Sequence, residues 1–271
     1  MAKLMVMPSI KEIDNIIDKC DALLFGIKGY SVNVPCEISL DELKNISSSI
    51  NKELFISLNK NIVNNDLDNL KELLKEIDLL NIKGIFYADP CFINLKKDLN
   101  LKTDLVWSNE HLTTNYATIN FWQNYGIKYT YLSTDITLDE VKEIRKNTSC
   151  KLIMPIFGYL PMYVSFRHAV KNYLDYFDIK DNMKINYLEK EDKIYPIIDN
   201  ELGTTVYSHS ILDGYEEYKD LDIDYVTLNE FNIDRDTFIK VLDKYNGKDS
   251  NYILDTDKGF LYKETIYKVK K

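Results

Sequence analysis

Cysteine is scarce in this chain and badly placed for chemistry. Cys20, Cys36, Cys91 and Cys150 stand far apart with no CxxC pair, which excludes the usual zinc spacing and the disulfide framework of a small secreted domain. Reduced thiols in the cytoplasm are the expected state. Long hydrophobic runs are missing too. No window reaches the roughly 18–20 consecutive apolar residues that span a bilayer. The opening segment Met1–Pro8 has only a short apolar run and no small-residue cleavage site, so no signal peptide is expected. Positive charge is in deficit: 34 Lys and Arg against 43 Asp and Glu leave a formal charge of −9. That balance excludes a broad nucleic-acid footprint. Any RNA contact has to come from a local patch such as Arg167, Lys171 and Lys180.

Motifs with a ready chemical meaning are equally short in supply. There is no GxGxxG after a strand, no GxxxxGK[ST], no HExxH and no GxSxG. Nine glycines and six prolines leave little material for a flexible linker, so one domain over residues 1–271 is expected. The abundant tyrosines (20) accompany an excess of Asn, Ile and Lys, the composition of a low-GC genome rather than a tyrosine chemistry.

What the chain does have is alternation. Short apolar runs at Lys3–Met7, Ala22–Gly26, Glu53–Leu58, Gly84–Ala88, Asp104–Trp107, Tyr129–Leu132, Lys151–Pro155 and Asp224–Leu228 read as buried strands. Amphipathic stretches lie between them. Ser9-x-x-Glu12, Ser39-x-x-Glu42 and Thr137-x-x-Glu140 read as capping boxes, and Leu67–Leu80 sets Leu67, Leu70, Leu73, Leu74 and Ile77 on one helical face. Eight βα units in 271 residues predict a (β/α)₈ barrel, a fold of about 250 residues. Residues 161–218 break the rhythm. Lys184–Leu188, Ile194–Ile198 and Thr204–Tyr207, separated by turn residues, predict a β-rich insertion before the last strand, although Thr204–Tyr207 could itself be a barrel strand.

Several segments, taken together, carry a resemblance. They are Leu4-Met5-Val6-Met7-Pro8-Ser9, Phe25-Gly26, the run from Trp107 to Asn115 followed by Phe121-Trp122 and Gly126, Asp199…Gly203-Thr204…Tyr207-Ser208, and Gly259-Phe260-Leu261-Tyr262. This set resembles bacterial proteins of peptidase family U32 over nearly the whole chain. The family's characteristic segment, Glu-x-Phe-x-x-Gly followed by cysteines, resembles Ile153–His168 here: Gly158, Met162, Ser165 and Arg167 match. The glutamate falls on Ile153, the cysteines on Pro161 and His168, and a third cysteine on Asp213.

The resemblance implies a barrel whose relatives, where they keep those cysteines, hold an iron–sulfur cluster and support oxygen-independent hydroxylation of RNA or quinone precursors. Without the cysteines, neither a cluster nor another metal or cofactor is expected in this chain. Three roles are implied. One is support of tRNA wobble-uridine hydroxylation with a small carboxylate as hydroxyl source, alone or beside a longer paralogue. The second is peptidase activity, and the third is a non-catalytic barrel that binds a ligand or partner.

Catalytic groups in such barrels gather at the C-terminal strand ends. Glu110, His111 and Glu230 are the candidate acid–base residues there, because an imidazole beside a carboxylate titrates near neutral pH. Lys28, Asn59, Asp89, Asn115, Tyr159, Arg167 and Asn229 are the candidate ligand-binding residues, with Arg167 suited to a carboxylate or phosphate. Cys91 with His111 is an open alternative as a nucleophilic pair.

Overall fold

The computed structural model describes residues 1–109, 111–180 and 183–263. Its strands in chain order are β1 (Lys3–Met7), β2 (Ala22–Ile27), the two-residue β3 (Glu37–Ile38), β4 (Glu53–Ser57), β5 (Gly84–Tyr87), β6 (Asp104–Ser108), β7 (Tyr129–Tyr131), β8 (Lys151–Ser165), β9 (Asn186–Lys190), β10 (Lys193–Asn200), β11 (Gly203–Asp213), β12 (Tyr225–Asn229) and β13 (Thr256–Asp257). The helices are α1 (Leu40–Ser49), α2 (Leu67–Asp78), α3 (Cys91–Leu99), α4 (Tyr116–Asn124), α5 (Leu138–Asn147), α6 (Ala169–Tyr176), α7 (Tyr215–Tyr218) and α8 (Arg235–Tyr245).

Eight strands close a parallel ring in the order β1, β2, β4, β5, β6, β7, β8, β12. The final seam is β12, paired in parallel with β1 on one side and with β8 on the other. Side-chain alternation sorts each strand between two layers. Met5, Leu24, Phe55, Phe86, Val106, Tyr129, Ile153 and Tyr225 fill the inside of the ring, where Phe55 meets Phe86, Tyr129 and Tyr225 edge to face. Leu4, Val6, Leu23, Leu54 and Ile85 face the helices instead. Trp122 of α4 stacks on Trp107 of β6 with centroids 4.1 Å apart, which gives the Phe-Trp motif its packing role.

Helix starts follow the expected chemistry at two of three places. Ser39 with Glu42, and Thr137 with Glu140, form reciprocal capping boxes for α1 and α5. Ser9 and Glu12 start no α-helix. The Ser9 amide is taken instead by a Glu230 carboxylate oxygen at 2.7 Å, and only a 3₁₀ turn at Ile17–Lys19 follows.

The seventh barrel strand departs most from expectation. It does not stop at Pro155 but runs fifteen residues to Ser165. Its first part closes the ring, and its outer part pairs antiparallel with β11, which continues through β10 to β9. Thr204–Tyr207 therefore lies in this extension and not in the ring. Proline normally ends an interior strand because it cannot donate to the ladder. Pro155 and Pro161 both sit beside register shifts, where an irregular ladder tolerates the missing donor. Between them Gly158 has φ 120°, and a Cβ there would lie 2.6 Å from the Asn229 carbonyl oxygen. Only glycine permits the bend that carries β8 out of the barrel.

Candidate functional site at the barrel mouth

The C-terminal strand ends converge on a small cavity of about 40 Å³. Its polar lining is neutral. Ser57 and Ser108 are buried at the last inward positions of their strands and Thr227 is buried one inward position before Asn229, and the Tyr131 hydroxyl lies 3.1 Å from Thr227 Oγ1. Asn33, Asn59, Thr134 and Asn229 add amides and a hydroxyl, while Phe86, Phe157 and Tyr159 give aromatic walls. Burial pushes the Tyr159 phenol above its ordinary range, with Tyr187 and Asp255 adding to the effect.

Part of this lining is held by the loop after β2. The Ser31 hydroxyl, fully buried, accepts from the Ile27 amide and donates to the Ser57 carbonyl. Asn59 accepts from the Val32 amide at 2.8 Å and donates to the Val32 carbonyl at 3.0 Å. These bonds set Val34 against the inner core and Asn33 over the cavity. Thr205 of β11 donates to Asn33 Oδ1 at 2.8 Å, tying the loop to the extension.

A wider cleft of about 270 Å³ opens beside the mouth. Asn59, Lys60, Ser108, Asn109 and His111 form its barrel side, and Val164, Ser165, Phe166 and Leu202 its extension side. His111 is exposed, with Nδ1 3.4 Å from Asp135 Oδ2. Lys60, the cation of this lining, is held 3.1 Å from Asp66 and sits over the Tyr30 ring.

The sequence candidates scatter around this geometry. Asn59, Tyr159 and Asn229 meet in the mouth, and His111 joins Asn59 in the cleft. Glu110 lies outside the described residues. Glu230 is fully buried, held by Arg235 and the Ser9 amide, and so braces the rim rather than facing the cavity. Asp89 caps the turn before α3, accepting from the Ile62 and Cys91 amides, and Asn115 caps α4 through the Thr118 amide. Lys28 points outside, 3.7 Å from Glu42. Arg167 lies on the extension next to Phe166, and its side chain is exposed. Burial pushes the Cys91 thiol up to about 12, aided by Asp89, so Cys91 is a protonated thiol at neutral pH.

Ser57 and Thr227, on the inward faces of β4 and β12, were missed by motif reading. Their signal was a hydroxyl on the inner face of an otherwise apolar run. Asn33 and Ser31 gave no such signal, since nothing local distinguishes them from ordinary loop residues.

The positions that resemble cluster cysteines do not offer a cluster donor set. Pro161 has no donor. His168 Nδ1 is 2.9 Å from Asp199, and Asp213 accepts from the Tyr245 and Tyr252 hydroxyls. Among the described residues no group of three His, Cys, Asp or Glu side chains is placed to hold a metal ion.

A closed parallel ring with helices around it and an overhanging β extension define a TIM-type barrel protein, whose candidate site is the polar mouth at the C-terminal strand ends. The model of peptidase family U32 matches residues 10–221, and the chain belongs to that family. It is 25% identical to tRNA hydroxylation protein P2 of Bacillus subtilis (strain 168) over 91% of this chain and 92% of that protein. It is 23% identical to tRNA hydroxylation protein P of Escherichia coli (strain K12), over 70% of this chain but only 43% of that longer protein. The solved structure of the U32 peptidase Mk0906 superposes with a TM-score of 0.55 at 13% identity, covering 84% of this chain and 92% of that one, a likeness of fold. No helix among the described residues is long and apolar enough to cross a membrane.

Proposed function

We propose that this chain works in tRNA hydroxylation, holding the wobble uridine, turned out of the RNA stack, at the barrel mouth while the hydroxyl is delivered. The near full-length similarity to a protein named for tRNA hydroxylation supports the process. The observation that carries the substrate assignment is the mouth itself, with amides and hydroxyls between aromatic walls. Enzymes that act on a base read it by hydrogen bonds to its edge and by aromatic packing. A neutral lining suits an uncharged base better than a small carboxylate, since Lys60 is already paired with Asp66.

The imidazole of the cleft lining, His111, has Nδ1 3.4 Å from Asp135 Oδ2. The near full-length relative named for tRNA hydroxylation favours a role in that process, with the chemistry shared with a partner such as a longer paralogue, over peptide hydrolysis. The test is a mass-spectrometric nucleoside profile of tRNA from a deletion strain. Loss of 5-hydroxyuridine derivatives, restored by the wild-type gene and not by an Asn229→Ala variant, is the expected result. An unchanged profile overturns the proposal.

A further inference from the structure

From Ile144 to Leu174 the sequence contains no aspartate or glutamate, in a chain that carries 43 of them. This acid-free run includes all of β8 and ends on the extension with Phe166, Arg167 and Lys171 exposed. The chain has three arginines. Arg145 lies 3.4 Å from Asp224, and Arg235 is paired with Glu230. Arg167 has no carboxylate partner among the described residues, and neither does Lys171.

While its head has no carboxylate partner among the described residues, Arg167 is anchored at its base. Its amide donates to Ser165 Oγ at 3.2 Å, and its carbonyl accepts from Thr204 Oγ1 at 2.7 Å and from the Ala169 amide at 3.0 Å. Asp199 fixes the next turn by accepting from the Val170 and Lys171 amides while holding His168. Gly203 makes the close crossing possible: a Cβ there would lie 2.0 Å from the Ser165 carbonyl oxygen. Two separate sequence motifs, Ser165-x-Arg167 and Asp199…Gly203-Thr204, thus build one turn whose product is a held cation. The side chains just before it, Ser165 and Phe166, line the cleft that opens on the barrel mouth.

We infer that this turn is where the protein grips the RNA backbone: Arg167 and Lys171 take phosphates and Phe166, 58% exposed, offers a face to a neighbouring base. The inference rests on the reading of the mouth as a nucleoside site and supplies what that neutral mouth lacks, an electrostatic hold on a polyanion. On a chain of net charge −9 such a hold has to be local.

Fluorescence anisotropy of a labelled 17-nucleotide anticodon stem-loop with the full chain tests it. Arg167→Ala is expected to weaken binding about tenfold and to reduce the salt slope by about one. Lys83→Ala, a cation at the opposite end of the barrel beside Glu53, is expected to leave both unchanged. Equal thermal transitions for the variants exclude misfolding as the cause. Wild-type affinity and slope in Arg167→Ala overturn the inference, and so does Arg167-dependent binding of malonate with RNA binding unaffected. Arg167-dependent RNA binding alongside an unchanged nucleoside profile sinks the hydroxylation reading but not this surface. An altered profile with Arg167-independent RNA binding does the reverse.

Discussion

Glu230 has its carboxylate wholly out of water, and both oxygens are engaged: Oε2 accepts from Arg235 Nη2 at 2.8 Å and from the Ser9 amide at 2.7 Å, and Oε1 accepts from Arg235 Nε. Removing one member of a buried pair leaves the other charge uncompensated, at a cost of about 3–5 kcal/mol. Glu230→Ala is therefore expected to lose stability on that scale in urea unfolding. A Glu230→Ala protein as stable as wild type would show that the residue does not brace the rim. The thiols give a second residue-scale test. Burial pushes Cys20 and Cys91 up to about 12 and Cys36 up to about 11, from an ordinary 9.0. Native protein at pH 8 should resist iodoacetamide at Cys20 and Cys91, and urea should expose both to labelling, as read by peptide mass. The same shifts have a sign for stability. Between pH 9 and 12 the folded thiols keep protons that the unfolded ones lose, so these groups make stability fall as pH rises through that window.

At the scale of elements, the legible parts were those fixed by local pattern. All eight ring strands lie on the expected apolar runs, because strands covered on both faces must be apolar on both. The boxes at Ser39 and Thr137 formed because their partners are three residues away; Glu42 takes the Ser39 amide on Oε2 while Lys11 takes Oε1. The box at Ser9 did not, because Glu230, more than two hundred residues distant, reaches its amide first. Chain-local reading cannot see such a partner. For the same reason Glu230 looked like a free strand-end acid. Its one local hint was Arg235, five residues on, at the start of α8. β8 was misjudged at its end for a different cause: two prolines and a glycine usually punctuate, and here they shape a bend inside one strand. The bend makes a prediction. Gly158→Ala combines positive φ with a collision against Asn229, and about 2–4 kcal/mol of stability should be lost. Because Asn229 lines the mouth, the loss should come with weakened complementation in the nucleoside assay. A Gly158→Ala protein with an unchanged urea midpoint would remove glycine's role in turning the strand.

On the scale of the whole molecule, the ring is closed by its two ends. β1 pairs with β12 and with β2, and the same seam is sewn outside by Glu230 to Ser9, Lys19 to Asp243, and the Asn246 side chain to the Lys19 carbonyl. Contacts this distant in sequence must form together, since each carries the loop-closure cost that the others share. The extension stands differently. Among the described residues β9 pairs only with β10, and β10 otherwise only with β11, so neither borders a ring strand. Two deletions should therefore behave unlike each other. Removing residues 1–8 opens the ring between β12 and β2 and should abolish the cooperative urea transition, leaving a broad change in circular dichroism. Replacing residues 183–202 with a short Gly-Ser turn takes away β9 and β10, and with them Asp199, which anchors the turn at His168 and α6. That variant should keep a single cooperative transition with a midpoint close to wild type, while its RNA affinity falls as in Arg167→Ala. If instead the second deletion unfolds the protein and the first is tolerated, the extension and not the ring is the cooperative unit, and residues 1–271 do not fold as one domain organised on the barrel.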